Sequence, residues 1–241
     1  MMLKEYFSYL YSHTSKNSSK ALDSLLEKNE DAALLDCGCW DGRSTMRFGA
    51  IVGTKNLHGI EIVKTKAREA SKRGIKVKIA DLNKRLPYKN NSFDAIIAYH
   101  VIEHLVKVRN FASELHRLLK PNGYVIIGTP NLASWHNVFA LFMGLQPFSG
   151  PTIEPEHKSE IKFVTELNQT RLRKVFEKDN ESLEHIKIMT TKALVSLLKS
   201  AGFRTEAVKG FGYYPLPPML ARPLSAIDKR HSHYIVIKAR K

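Results

Sequence analysis

The chain has 241 residues, 43% of them apolar, and a formal net charge of +15. This length suits one α/β domain with an inserted segment rather than two full domains. No apolar run nears the roughly 18 residues of a membrane helix, Val138 to Leu145 being the longest candidate, so no transmembrane segment is expected.

The amino-terminal stretch is interrupted by Lys4 and Glu5 and has no small-residue cleavage site, so it reads as part of the fold. Cys37 and Cys39 are too close for an unstrained bridge, and no second pair gives metal-ligand spacing. A reducing, cytoplasmic setting follows. The positive charge would attract RNA, an anionic lipid surface or another anionic substrate, but the lysines are spread without a block, which favours a solvated basic surface.

Strand-like and helical patterns alternate along the chain. Ser18 or Ser19 can open a helix carrying Leu22, Leu25 and Leu26, within an amino-terminal helical segment over about residues 1–29. Apolar runs of strand length follow at Ala32–Asp36, Leu57–Ile62, Phe93–Tyr99 and Tyr124–Thr129, with a weaker one at Val77–Ala80. Runs apolar on both sides, with helices between them, predict parallel strands covered on both faces. Phe111, Leu115, Leu118 and Leu119 form a helical stripe that Pro121-Asn122-Gly123 stops.

Residues 131–182 break this rhythm and read as a lid or substrate-facing insertion over the ligand crevice. Thr190 or Thr191 then caps a helix carrying Leu194, Leu197, Leu198 and Ala201, and Gly202 ends it. Thr205–Phe211 and Tyr234–Arg240 read as strands without a convincing helix between them, so they should pair antiparallel. The expected architecture is a single doubly wound α/β domain, mostly parallel, with an antiparallel last strand.

The stretch LLDCGCWDGRST passes from strand through loop to helix. Gly38 and Gly42 permit a tight turn, but Trp40 occupies the second glycine position of the dinucleotide fingerprint. Asp36 and Asp41 would repel a pyrophosphate and suit a ligand with an ammonium group. S-adenosylmethionine has an ammonium and a sulfonium and no phosphate. Glu61, about 25 residues on, stands where an acid can accept ribose hydroxyls, and Asp81 can accept from an adenine amino group.

These motifs, with FDAIIAYHVIEHL, ELHRLLKPNGYVIIGTPN and the late HIKIMTTKALVSLLKSAGF, resemble class I S-adenosylmethionine-dependent methyltransferases over roughly residues 31–202. The similarity lies with a broad group of small-molecule, quinone-biosynthesis and glycan-cluster enzymes. It implies a Rossmann-like seven-stranded sheet with an antiparallel last strand, and S-adenosyl-L-methionine as cofactor. It also implies a cofactor site of Asp36, Gly38, Cys39, Gly42, Glu61, Ile62, Asp81, Leu82, Tyr99 and His100. Glycine is usual at the position of Trp40. A tryptophan with positive φ would be strained, so ordinary φ is expected, with the ring packed over the loop.

Methyl transfer is an in-line displacement at an activated carbon, so the protein chiefly aligns the acceptor and excludes water. A general base is needed only where the acceptor must lose a proton. His100, His136 and His185 are candidates. If a helical turn starts at His100, then His100, Glu103 and His104 share a face that could hold a divalent metal. Some relatives bind magnesium at a similar place through oxygen-rich sets, and the His100 substitution weakens such a site. Structural roles for Glu103 and His104, with no metal, are the reading adopted. Tyr213 and Tyr214 are candidates for an acceptor wall.

The expected acceptor is a small molecule or a glycan or lipid precursor, methylated on oxygen. The alternatives are an RNA methyltransferase using the basic surface and a non-catalytic S-adenosylmethionine-binding protein.

Overall fold

A computed structural model describes residues 3–151 and 185–241. Strands β1 (Leu34–Cys37), β2 (Leu57–Glu61), β3 (Lys76–Ile79), β4 (Phe93–Tyr99), β5 (Leu119–Pro130), β6 (Arg204–Phe211) and β7 (Tyr234–Arg240) form one sheet. Its order is β3-β2-β1-β4-β5-β7-β6, and β7 runs against the other six. The helices among the described residues are α1 (Leu3–Asp23), α2 (Arg43–Val52), α3 (Lys64–Lys72), α4 (Val108–Leu118), α5 (Trp135–Phe142), α6 (Thr191–Ser200) and α7 (Pro218–Ile227). None of them is long and apolar enough to cross a membrane.

Adjacent strand residues point to opposite faces, which is why the central strands read as continuous apolar runs. Leu35, Ile96 and Ile127 enter the core under α4 and α6, beside Phe111, Leu115, Leu194 and Leu198. Leu34, Ile97 and Ile126 enter the opposite core with Leu22 of α1, Phe48 of α2 and Ala70 of α3. The edge strands are different. Lys76 and Ile79 of β3 and Arg204 of β6 are exposed.

Chain order reverses direction between β1 and β4. The loops after these strands therefore flank a crevice at their carboxyl ends, the usual ligand position in such sheets.

Several expectations are met closely. Thr190 caps α6, its hydroxyl accepting from the Ala193 N–H at 3.2 Å. Gly202 takes φ +96 beyond that helix, and β6 pairs antiparallel with β7.

Three expectations change. The amino-terminal helix starts at Leu3, not Ser18 or Ser19, and ends before Leu25. Its buried side includes Leu10, Thr14, Ser18, Ala21 and Leu22, so polar residues disguise the packed face. Helix α4 ends at Leu118, and Leu119 already belongs to β5.

The β6–β7 connection contains a ten-residue helix, α7, with proline in its first turn, where a missing N–H costs nothing. Its stripe of Leu220, Leu224 and Ile227 is exposed while Ala221 and Ser225 are buried. Helical periodicity there faces away from the core. Of the expected insertion, residues 131–151 supply α5 and a following loop, and 152–182 lie outside the described residues.

Candidate active site

The β1–α2 loop is shaped by its backbone. Gly38 and Gly42 take φ +75 and +82. A Cβ on Gly38 would lie 2.6 Å from Val101, and one on Gly42 2.5 Å from Ile75, so the loop fits tightly against its surroundings. The Gly38 N–H donates to Ile60 O at 2.8 Å.

Trp40 departs from expectation and takes φ +49. Its N–H donates to Glu61 Oε2 at 2.9 Å, and Lys66 Nζ lies 5.3 Å from its ring centroid. The loop must turn left-handed to reach Glu61, and this bond helps offset a backbone cost of about 1–2 kcal/mol. Because the strain belongs to the Cβ, Trp40→Gly should be more stable than Trp40→Ala by about 1 kcal/mol in urea unfolding, reversing the usual order.

Asp36, at the end of β1, is buried and accepts from Thr45 Oγ1 at 2.6 Å. Burial pushes its carboxyl up to about 7; the Thr45 hydroxyl opposes this and the nearby Glu61 charge adds to it. Glu61, at the end of β2, is buried too, and its Oε1 accepts from the Val63 N–H at 2.9 Å. Asp36 pairs with Gly59 in register, two residues before Glu61, and Glu61 pairs with Ile79, two residues before Asp81. Three acids thus stand at the carboxyl ends of three neighbouring strands.

Asp81 Oδ1 accepts from Asn83 N at 2.8 Å. Leu82 is half-buried and Ile62 is 42% exposed, an apolar surface beside Glu61. Asp41 turns away from this group and pairs with Arg43 at 2.9 Å. Cys37 and Cys39 are buried free thiols, and burial pushes both thiol pKa values up, so neither is poised as a nucleophile.

Across the crevice, β4 ends at Tyr99 and His100. His100 has φ +56, and its N–H donates to Gly128 O at 2.8 Å. A short helical turn follows at Ile102–His104, so His100 lies outside it. The His100 Nδ1 lies 3.1 Å from Glu103 Oε1. Glu103 is fully buried, and its Oε2 accepts from Thr129 Oγ1 at 2.9 Å. Burial alone would raise its pKa, but the His100 bond and the neighbouring His100, His104 and His185 bring it below the usual range.

The expected His100–Glu103–His104 face does not form as a single group. Glu103, His104 and His185 have ligand atoms mutually within 4.8 Å, whereas His100 touches the cluster only through Glu103. The His185 Nδ1 lies 2.7 Å from Ser149 O.

His136 sits on α5 with its Nε2 3.1 Å from His233 Nδ1. Burial drives His136 down to about 4 and His233 well below its ordinary range. Tyr214 lies beside both, at 5.3 and 4.6 Å between ring centroids, while the Tyr213 hydroxyl donates to Asp228 O. Rings then run from His233 through Tyr234 to His100. Thr45, Thr129 and His233 carried no sequence signal beyond their residue types.

A doubly wound sheet with β7 reversed, a glycine-cornered loop after β1 and acids closing three strands are the arrangement expected of a class I S-adenosylmethionine-dependent methyltransferase. Residues 35–127 match a family model described as a methyltransferase domain, and this segment belongs to that family. An uncharacterised protein of Methanocaldococcus jannaschii is 28% identical over 180 residues, 74% of this chain and 76% of that protein. A probable S-adenosylmethionine-dependent methyltransferase of Mycolicibacterium smegmatis is 26% identical over 140 residues, 57% of this chain and 50% of the relative.

Among solved structures, an S-adenosylmethionine-dependent methyltransferase from Mesorhizobium loti superposes with a TM-score of 0.62 at 18% identity. The match covers 92% of this chain and 96% of that one, and it speaks for the fold. The cofactor is S-adenosyl-L-methionine. The acids present fit a cationic nucleoside and disfavour a diphosphate.

Proposed function

We propose that the protein transfers a methyl group to a hydroxyl oxygen of a small-molecule or glycan or lipid-precursor acceptor, in the cytoplasm. The observation that supports this is the His100–Glu103 pair. With its Nδ1–H donated to Glu103, His100 leaves Nε2 as an acceptor, the arrangement of a positioned base. Such a base serves an acceptor that must lose a proton.

In this reading, bound S-adenosylmethionine supplies the electrophilic methyl group. Asp36 and the Gly38–Gly42 loop hold the methionine end, with Cys39 beneath the loop. Glu61 takes the ribose, with Ile62 beside it. Asp81 and Leu82 take the adenine, and Tyr99 and His100 line the methyl-donor side. His136, His233 and Tyr214 form an acceptor wall, kept uncharged by burial.

The test is transfer of a labelled methyl group to a small-molecule extract and, separately, to total RNA, with product linkage determined. Label in a methyl ether or ester of a small molecule supports the reading. Label in RNA alone overturns it in favour of the RNA methyltransferase, the reading that the +15 charge favours. Cofactor binding without transfer to either pool overturns it in favour of a binding protein.

A further inference from the structure

Away from the cofactor loop, α1, the end of β6 and α7 enclose a groove of about 620 Å³. None of Gly38, Glu61, Asp81 or His100 lines it. Its walls include Leu10, Phe211 and Ala221, and its basic residues are Lys20, Lys209, Arg222 and Lys229; no carboxylate lines it. Among the described residues, none of these four cations is held in an ion pair with an acid. The Lys209 ammonium donates to the Ser24 hydroxyl at 2.8 Å. An Arg222 N–H faces His13 Nε2 at 3.2 Å, and the other His13 nitrogen lies 3.0 Å from the Asn17 side-chain amide.

Some basic groups outside the groove are paired with acids. Lys238 and Arg240 share Glu27, Arg117 holds Glu114 at 2.6 Å, and Lys120 holds Asp94 at 2.8 Å. Four uncompensated cations around one apolar-walled concavity repel each other, and an anionic guest relieves that repulsion. Burial and the charges of Arg222, Lys16 and Lys20 lower the His13 pKa, so it holds Arg222 without adding a charge. The volume falls within the roughly 300–1,000 Å³ of small-molecule sites.

We propose that this groove binds a phosphorylated amphiphile, with the phosphate among Lys20, Lys209, Arg222 and Lys229 and the hydrocarbon portion against Leu10, Phe211 and Ala221. The site is separate from the methyl-donor crevice and does not depend on the identity of the acceptor. Phosphate is the favoured head because the basic side chains that line the groove come from α1, β6 and α7 and the turn after it, no carboxylate lines it, and a doubly charged group can engage more than one of them.

The test is titration calorimetry of the full chain with farnesyl phosphate, farnesol and inorganic phosphate, each with and without saturating S-adenosylmethionine. Farnesyl phosphate should bind at least about tenfold more tightly than either fragment, and saturating cofactor should not compete. The exposed double variant Lys20→Glu/Arg222→Glu should weaken farnesyl phosphate by at least about thirtyfold, with cofactor affinity unchanged. Inorganic phosphate binding as tightly as farnesyl phosphate, full affinity in the charge-reversed variant, or displacement by cofactor would each overturn the assignment. Preferential displacement of farnesyl phosphate by single-stranded RNA would overturn it as well. Cofactor binding and methyl transfer are read separately, so failure of the groove and failure of the proposed reaction are distinguishable.

Discussion

Affinity for S-adenosylmethionine should be about tenfold weaker at about pH 6 than at about pH 8, because a proton competes with the cofactor's ammonium for Asp36. The carboxyl is buried and pushed up to about 7, so it is already partly protonated near neutrality. A cation beside it favours the charged form, and binding should therefore release protons. Calorimetry in buffers of different ionisation enthalpy measures that release directly. Asp36→Asn should bind weakly with no pH dependence.

Stability runs the other way. A carboxyl whose folded pKa lies above its unfolded value stabilises the fold at low pH, and that contribution is lost as pH rises through about 7. Asp36→Asn should therefore be more stable than the parent at about pH 8, by about 1–2 kcal/mol. The gap should close as pH falls. A flat affinity profile in the parent protein would remove Asp36 from the ammonium site.

Replacement of His100 by alanine should lower kcat by about 10²–10⁴-fold, the usual worth of a positioned base. Cofactor affinity should change by less than about threefold, since the imidazole contributes little binding of its own. Added imidazole should restore part of the lost rate in the alanine variant, which a purely structural role would not allow. Glu103→Gln should cost about 10–100-fold in kcat with acceptor KM unchanged, because it removes the carboxylate that orients Nδ1 while preserving an acceptor for Thr129. A His100→Ala enzyme within about threefold of the parent kcat would mean that the acceptor reaches the methyl group without this base.

The sheet was legible because its central strands are apolar on both faces, and runs such as AIIA and VIIG have few other uses. The strand-ending acids Asp36 and Glu61 were legible for a related reason, each closing an apolar run where a parallel strand must stop, and Asp81 follows the weaker, alternating stretch of β3. The start of α1 and the whole of α7 escape the apolar pattern from opposite causes. Helix α1 hides its packed face behind Thr14 and Ser18, and α7 carries its apolar stripe outward.

Trp40 takes its left-handed φ because the turn reaches the Glu61 carboxylate across 21 residues, a contact that no local pattern encodes. The approach of His185 to Glu103 and His104 was likewise invisible. It depends on the Ile186 and Lys187 N–H groups donating to Glu103 O at 2.8 and 3.0 Å, a main-chain link with no residue signature.

The two outer strands bear on how copies of this molecule meet one another. An open sheet border offers unpaired main-chain groups that can recruit another copy and seed aggregates. Here one border carries Lys76 and the other Arg204, both exposed. Charged side chains at the two margins, among the described residues, disfavour main-chain pairing between copies and so guard the sheet against fibrous assembly.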